Sequence, residues 1–352
     1  MTPAPDPHAL ATEPRYYLQE INLESGELGF GNLDRKTLRE STFMDGRDMT
    51  RRQVVIRVPL AVMQNVIQTS RRGQAEPRVN FILHTSFCCS TLISRCLDID
   101  GYCCALREPW VLMQLANYKR AAGGQPADSV RWNALLDTAL ALLTKPWIAG
   151  EVTLIKPSIA ANNLAEDLIA HPRSGGILLL YSSLRRFLMS TIHKGEAGRS
   201  FVRQLFDAIL ADSVRTAALP PATLMQLTDL QIAAFVWYQQ MDHYLRLLAR
   251  FPQARIRTLD CDRFLAAPEA SLMKLCDLFT VRVAPATLQD VLAGPAFHRY
   301  AKDTAHRYDA AEYAADNARI AKEYAEDIAN ILTWSAHIRP EGAIQLPLPR
   351  AL

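Results

Sequence analysis

Short apolar runs alternate with longer amphipathic stretches along most of the chain. Each apolar run is short enough for a buried strand, and the stretches between the runs carry apolar residues at helical spacing. Such an alternation predicts a parallel sheet with helices on both faces, a three-layer α/β fold, followed by extra C-terminal helices. The predicted strands are Val79 to Leu83, Tyr102 to Leu106, Glu151 to Lys156, Gly176 to Tyr181 and Arg255 to Leu259.

Less regular sequence precedes these strands. Residues 1–15 are rich in proline and lack an apolar run, so we expect disorder and no signal peptide there. Residues 16–75 are predicted to form a small N-terminal segment with one strand at Gln53 to Val58. Residues 76–352 are predicted to form the α/β domain, which includes a long helix from Tyr308 to Trp334.

Composition narrows the class of protein. Of 352 residues, 49% are apolar and 21% are charged, and the net charge is +3. These values predict a soluble globular protein that binds neither nucleic acid nor membranes. Seven cysteines, some of them adjacent, predict reduced thiols in the cytoplasm and no metal site. The oligomeric state stays open.

The strongest chemical signal lies between Val79 and Leu97, where a predicted strand passes through small residues into a helix. A helix start in this position directs backbone N–H groups and the positive end of the helix dipole at one point, which favours a phosphate or sulfate. Two alternatives stay open: an ordinary strand–helix junction, or Ser90 and Thr91 acting only as helix caps. The predicted anion loop consists of Ser86, Phe87, Cys88, Cys89, Ser90 and Thr91.

Other predicted strands are also followed by charged or hydroxyl side chains. In an open parallel sheet, ligands bind beyond the carboxyl ends of the strands. Glu108 follows the second strand, Lys156 ends the third, and Asp260 and Asp262 follow the last. We expect most of these groups to converge on a highly anionic ligand. The fourth strand is followed by Ser182, Arg185, Arg186 and Ser190.

The order of these parts resembles the sulfotransferases that use 3′-phosphoadenosine 5′-phosphosulfate (PAPS), a family with a P-loop-type α/β fold. In that family a first loop ending in Ser-Thr or Thr-Thr cradles the 5′-phosphosulfate, and Ser86 to Thr91 match it. A later segment grips the 3′-phosphate, and Ser182 to Ser190 match that one. The most specific match is Arg255 to Phe264, which resembles the family's last strand and acidic pair. The resemblance covers residues 79–305 and suggests a divergent bacterial-type member.

The chain departs from the family pattern at several functional positions. Phe87 replaces the lysine of the first loop, and Ser182 stands where the family has its 3′-phosphate arginine. Arg185 or Arg186 would then take over that arginine's role. The family's C-terminal basic segment folds over the cofactor, and Lys302 is the corresponding candidate here.

The resemblance implies in-line transfer of a sulfuryl group from PAPS to a hydroxyl or amine of an unknown small-molecule or sugar-like acceptor, without a metal. Glu108 is then the predicted base, and Lys156 the cation that meets the leaving phosphate, although Lys156 on a protein surface is the alternative. Two other functions stay open. One is a P-loop kinase-like phosphotransferase with Asp260 as a Mg²⁺ ligand. The other is a non-catalytic nucleotide-binding protein, which Phe87 favours.

Overall fold

The structure, a computed structural model, describes residues 5–45, 56–70, 77–212, 224, 226–297, 299–300, 303–307, 310–339 and 342–352. Its first elements form a small N-terminal segment around an antiparallel sheet in the order β1-β2-β3. These elements are α1 (Pro7–Thr12), β1 (Tyr16–Asn22), β2 (Glu27–Asn32), α2 (Arg35–Glu40), β3 (Ile56–Pro59) and α3 (Leu60–Ser70).

The N-terminus differs from its prediction. Disorder is wrong for residues 5–15, because α1 forms there with Asp6 as its N-cap and with Leu10 fully buried in the main apolar cluster. A proline-rich start hid this helix, whose stability comes from packing of Leu10 rather than from helix propensity. The predicted strand at Gln53 to Val58 is present from Ile56 onwards, and residues 53–55 lie outside the described residues.

A five-stranded parallel sheet forms the centre of the α/β region. Its order is β5-β6-β4-β7-β8, and every neighbouring pair is parallel. All five predicted strands are confirmed within one or two residues at each end. They are β4 (Val79–His84), β5 (Cys103–Arg107), β6 (Val152–Lys156), β7 (Ser174–Tyr181) and β8 (Ile256–Asp260).

Helices cover both faces of this sheet, which confirms the predicted three-layer α/β class. The strand β4 shows why: Phe81 and Leu83 pack into one apolar cluster, while Ile82 between them packs into the other. Alternate residues of a strand point to opposite faces, so both faces of the sheet are buried. The helices up to β8 are α4 (Ser90–Cys96), α5 (Trp110–Ala121), α6 (Ser129–Leu143), α7 (Ala165–Ala170), α8 (Leu184–His193), α9 (Gly195–Ile209) and α10 (Asp229–Arg250).

The predicted extra helices follow β8, with one difference. The single helix predicted at Tyr308 to Trp334 is two helices, because the chain leaves helical geometry at Tyr324 (φ −106°, ψ 22°). After β8 come α11 (Cys261–Ala266), α12 (Pro268–Phe279), α13 (Pro285–Ala293), β9 (Arg299–Tyr300), β10 (Asp303–Arg307), α14 (Ala310–Glu323) and α15 (Ala325–Ile338). Within the described residues, no helix is both long and apolar enough to cross a membrane.

Arg107 joins the N-terminal segment to the central sheet. Its side chain is 1% exposed, donates hydrogen bonds to the backbone carbonyls of Leu38, Arg39 and Ser41, and pairs with Asp98 at 3.0 Å. The three carbonyl groups belong to the N-terminal segment. Arg107 therefore has a structural role, which holds the two parts of the chain together, although the next residue is the predicted base Glu108.

Candidate functional site

The loop between β4 and α4 has an unusual backbone. Ser86, Phe87 and Cys89 adopt left-handed φ angles of 67°, 49° and 61° without being glycine. Each such residue costs roughly 1–3 kcal/mol and persists only where its surroundings impose it, which is common at ligand sites. The N-cap of α4 is Cys89, and no side chain caps this helix. The alternative that Ser90 and Thr91 serve as caps is therefore wrong.

Two predicted site residues have a buried hydroxyl group without a hydrogen-bond partner among the described residues. These hydroxyl groups belong to Thr91, which is 3% exposed, and to Ser182, which is fully buried. A buried hydroxyl without a partner carries a penalty of about 1–3 kcal/mol. An anion seated on the loop is one group that offers Thr91 an acceptor, so the loop fits a phosphate or sulfate.

Glu108 and Lys156 form a buried ion pair at the ends of neighbouring strands. Lys156 Nζ lies 2.5 Å from Glu108 Oε1, and the two side chains are 0% and 9% exposed. The Glu108 N–H also donates to the Lys156 carbonyl oxygen at 2.7 Å, and Glu108 has a left-handed φ of 57°. The alternative of a surface lysine is therefore wrong. The two predicted catalytic residues touch each other, which the sequence alone did not reveal.

His84 joins this ion pair to the anion loop. Its Nδ1 accepts the backbone N–H of Ser86 at 3.2 Å, so a neutral ring carries its proton on Nε2. Nε2 lies 3.1 Å from the Pro157 carbonyl oxygen, to which it donates, and 3.3 Å from Lys156 Nζ. Loop, imidazole, ammonium and carboxylate thus form one chain of contacts across three strand ends.

Phe43, from the N-terminal segment, covers the same ion pair. Its ring centroid lies 5.5 Å from Lys156 Nζ, a distance at which an aromatic face attracts an ammonium group. The chain is held there because Met44 N–H donates to the Arg107 carbonyl at 2.7 Å and Trp110 N–H donates to the Met44 carbonyl at 3.0 Å. The sequence around Phe43 does not predict this contact, because the contact depends on how the N-terminal segment packs against the central sheet.

The predicted 3′-phosphate segment opens onto a pocket of about 240 Å³ at the start of α8. Both candidate arginines line it: Arg185 is exposed, whereas Arg186 is half-buried and forms an ion pair with Asp262. Ser182 does not line it, because its hydroxyl is buried and its carbonyl accepts Trp237 Nε1–H at 2.8 Å. The lining residues are Ser183, Arg185, Arg186, Met189, Ser190, Asp262 and Asn317.

Phe87 connects the loop to this second region. Its ring packs against Phe187 on α8 at a centroid distance of 5.2 Å and against Phe201 on α9 at 5.5 Å. The position that carries the loop lysine in the resembled family is therefore an apolar contact here. Because α8 also presents the two arginines, the loop and the pocket share one supporting helix.

Among the described residues, one group at this edge has the spacing to hold a metal ion, because its ligand atoms lie within 4.8 Å of one another: Asp260, Cys261 and Asp262. Asp260 accepts the Asp262 N–H at 2.7 Å, which caps α11, and its burial raises its pKa above the ordinary value. Arg186 already pairs with Asp262. A cation here would compete with that guanidinium, which weakens the kinase-like alternative with its Mg²⁺ ligand.

The last candidate, Lys302, lies outside the described residues. Of the others, the structure connects Ser86 of the loop to Lys156 and Glu108 through His84, and groups Arg185, Arg186 and Ser190 around the pocket. Sequence reasoning missed the linking role of His84 and the pocket residue Asn317. The position of His84 as the final residue of β4 was the available signal for the first. Asn317 had none, because it enters from the distant helix α14.

The solved structures that are similar to this chain include three sulfotransferases. The chain is 14% identical to the sulfotransferase domain from the curacin biosynthetic pathway, with 72% of this chain and 99% of that one covered and a TM-score of 0.40. A sulfotransferase from Alicyclobacillus acidocaldarius is 13% identical, with 75% of this chain and 96% of that one covered and a TM-score of 0.37. The sulfotransferase STF9 from Mycobacterium avium is 14% identical, with 93% of this chain and 97% of that one covered and a TM-score of 0.39. No protein-family model and no curated protein sequence matches the chain.

Proposed function

We propose that the protein transfers a sulfuryl group from PAPS to a hydroxyl or amine group of an acceptor. One observation carries this proposal. The loop after β4, which has a strained backbone and no glycine, packs through Phe87 against α8, and α8 also contributes two arginines to the neighbouring pocket. Two anion-binding regions suit a donor with phosphate groups at both its 3′ and 5′ ends. They suit a nucleotide with a single phosphate chain less well.

Each region has the groups that its part of the donor requires. The first-turn N–H groups of α4 have no intrahelical partner and would bind the 5′ end. Arg185, Arg186 and the Ser190 hydroxyl would bind the 3′-phosphate. Hydrogen bonds of this charge-assisted kind contribute about 1.5–3 kcal/mol each. The bound donor would supply the sulfuryl group and a phosphate as leaving group.

The ion pair supplies the remaining chemistry. Glu108 would take the proton from the acceptor's hydroxyl or amine group, as a general base. Once Glu108 is protonated, its attraction to Lys156 falls, and the ammonium charge becomes available to an anion held at the neighbouring loop. Proton uptake and charge stabilisation are coupled in this scheme through the 2.5 Å contact. Phe43, whose ring lies 5.5 Å from Lys156 Nζ, would help to keep water away from the ammonium group.

The test is an assay for PAPS consumption. The full-length protein is incubated with PAPS and a panel of phenols, sugars and amines, and release of the desulfated product PAP (adenosine 3′,5′-bisphosphate) is measured against a control without acceptor. We expect at least one acceptor to accelerate release and Glu108→Gln to remove the acceleration while PAP still binds. If PAPS neither binds nor is consumed, the proposal is wrong.

A second candidate is a nucleotide-binding protein without transfer chemistry, and the packing of Phe87 against two other phenylalanines favours it. The same experiment separates the two. In a pure binding protein, PAP binds the wild type, PAPS stays intact with every acceptor, and Glu108→Gln changes neither result.

A further inference from the structure

His84 contacts the anion loop through one ring nitrogen and the neighbouring strand end through the other. Its Nδ1 accepts the N–H of Ser86, two residues further along the chain, at 3.2 Å. Its Nε2 lies 3.1 Å from the Pro157 carbonyl oxygen. His84 and Ser86 are 4% and 6% exposed, so solvent has little access to the contact between them. Because a backbone N–H always donates, this contact requires an Nδ1 that carries no proton.

The surroundings of Nε2 favour the same form of the ring. The Pro157 carbonyl oxygen only accepts hydrogen bonds, and the Lys156 ammonium group, 3.3 Å away, only donates them. A proton on Nε2 satisfies the carbonyl oxygen. A second proton on Nδ1 would face the Ser86 N–H and add a positive charge beside Lys156. A neutral imidazole with its proton on Nε2 is therefore the form that serves both contacts.

The backbone that carries this ring is held from two sides. The His84 carbonyl oxygen accepts the Asn162 side-chain N–H at 3.2 Å, and the Thr85 N–H donates to the Leu180 carbonyl oxygen on β7 at 3.1 Å. Ser86 comes next and is the first loop residue with a left-handed φ, 67°. The imidazole thus connects fixed backbone at the end of β4 with the point where the strained loop begins.

We propose that His84 is a positioning residue, which through Nδ1 fixes the Ser86 N–H and thereby holds the loop in the shape that binds the 5′-phosphate end of a nucleotide. The N–H of Ser86 is then already used, so Ser86 contributes loop shape, and the first-turn N–H groups of α4 bind the anion. His84 exchanges no proton in this role. The inference deepens the proposed function and rests on it for the identity of the ligand.

Two substitutions of His84 separate the role of Nδ1 from that of the rest of the side chain. Asn carries an acceptor oxygen on Cγ, where His carries Nδ1, and Asn side chains commonly accept the backbone N–H two residues further on. Gln places its polar atoms one bond further out, near the position of Nε2. We expect His84→Asn to bind PAP within about threefold of the wild type and His84→Gln to bind it about tenfold or more weakly, because a buried N–H then lacks its acceptor.

Ligands that lack one phosphate show which region of the site has changed. In titration calorimetry, His84→Gln should weaken 5′-AMP by the same factor as PAP and should leave the affinity for adenosine 3′-phosphate unchanged. A histidine at the opposite end of the sheet provides the control. His171 Nδ1 accepts the Arg173 N–H, also two residues further on and also at 3.2 Å, just before β7 begins. His171→Gln should leave all three affinities unchanged.

The outcomes of these titrations are distinct. Equal PAP affinities of the Asn and Gln variants of His84 would overturn the proposal. So would a parallel loss of all three ligands that follows the free energy of unfolding, measured with urea, because a merely structural role predicts that pattern. If PAP binds as predicted but PAPS is consumed with no acceptor, the proposed transfer fails and the role of His84 in phosphate binding stands.

The contact can also be tested in the wild type without any ligand. The ¹⁵N NMR signals of the His84 ring at pH 7 should show a neutral imidazole that is protonated on Nε2. The Ser86 amide hydrogen should exchange with solvent more slowly in the wild type and in His84→Asn than in His84→Gln. A proton on Nδ1, or equal exchange in all three proteins, would overturn the proposal even if neither variant changes ligand binding.

Discussion

Two lysines are buried in the part of the chain that the structure describes, and their surroundings differ. Lys145, just after α6, is 8% exposed, and its Nζ donates to the backbone carbonyls of Leu10 at 2.9 Å and of Tyr16. Lys156, at the end of β6, is fully buried and meets a carboxylate, that of Glu108. The first ties the N-terminal segment to the α/β domain, and the second lies beside the anion loop.

The partner decides what each buried amine can do. Burial lowers the pKa of Lys145 to about 7, because the two carbonyls provide dipoles but no full counter-charge. A neutral amine has two N–H groups, which match these two carbonyls. Lys156 is instead held in an ion pair whose other member has a strained backbone and stands at the open edge of the sheet. Burial of a lysine alone therefore does not identify a functional site. A buried ion pair identifies one more reliably when it lies beside strained backbone at the edge of the sheet where ligands bind.

The largest expected effect is on stability. Lys156→Met should lower the free energy of unfolding by about 3–5 kcal/mol, because it leaves the Glu108 carboxylate buried without its partner. Urea denaturation measures the change. The double variant Lys156→Met/Glu108→Gln should recover most of the loss. A double variant no more stable than the single one would show that the ion pair is not the cause.

The next effect concerns turnover, and the two lysines serve as controls for each other. With the acceptor that the panel identifies, the double variant Lys156→Met/Glu108→Gln should lower kcat by about a hundredfold or more, the scale expected when a preorganised charged group is lost. Lys145→Met removes the other buried amine and should leave kcat within about twofold of the wild type. Equal losses in both variants would point to general destabilisation and not to a role of the Lys156–Glu108 pair at the site.

A smaller effect is expected on PAP binding when Arg186 is replaced. This arginine is also ion-paired but is only half-buried. Arg186→Ala should weaken PAP binding about tenfold or more while the affinity for 5′-AMP, which lacks the 3′-phosphate, stays nearly unchanged. Titration calorimetry with both ligands measures the difference. Arg199→Ala, on the neighbouring helix α9, is the matched control for loss of a surface guanidinium. Equal losses of PAP and 5′-AMP would remove the 3′-phosphate assignment.

The smallest effect is the pH dependence that Lys145 contributes. The folded-state pKa of Lys145, about 7, lies below the ordinary value of 10.5, so the unfolded chain binds more protons between these two values. The free energy of unfolding should therefore rise with pH across this window, by up to roughly 1.4 kcal/mol per pH unit from this group. Lys145→Met should lack this rise in denaturation curves at pH 7.5 and 8.5. An identical slope in both proteins would contradict the pKa.

The central sheet follows from the sequence because its strands are short, continuous apolar runs. The strand β7, for example, is buried along all of its last six residues. The N-terminal sheet is harder to predict, because β1 buries Gln19 among its apolar residues and thereby breaks the expected alternation. Tyr324 divides the last long helix without a glycine or proline to mark the break.

The site could be predicted to the extent that strand ends define it. That rule brought Glu108, Lys156 and the two arginines to one edge. It did not show that Glu108 and Lys156 pair, because their 2.5 Å contact depends on the register of β5 against β6. Nor did it show that Asp262 neutralises Arg186, a contact between segments 76 residues apart. Side-chain pairing between strand ends is a tertiary property, and local pattern does not encode it.

The most direct test of the central claim compares the melting temperature of the wild type with PAP, 5′-AMP and ATP–Mg²⁺ at equal concentrations. A ligand that binds only the folded state stabilises it by mass action, by about 2.7 kcal/mol at a hundred times its dissociation constant. We predict that PAP gives the largest increase and that Arg186→Ala removes its advantage over 5′-AMP. An increase with ATP–Mg²⁺ and none with PAP would contradict the claim that this edge of the sheet binds a 3′,5′-bisphosphorylated nucleotide.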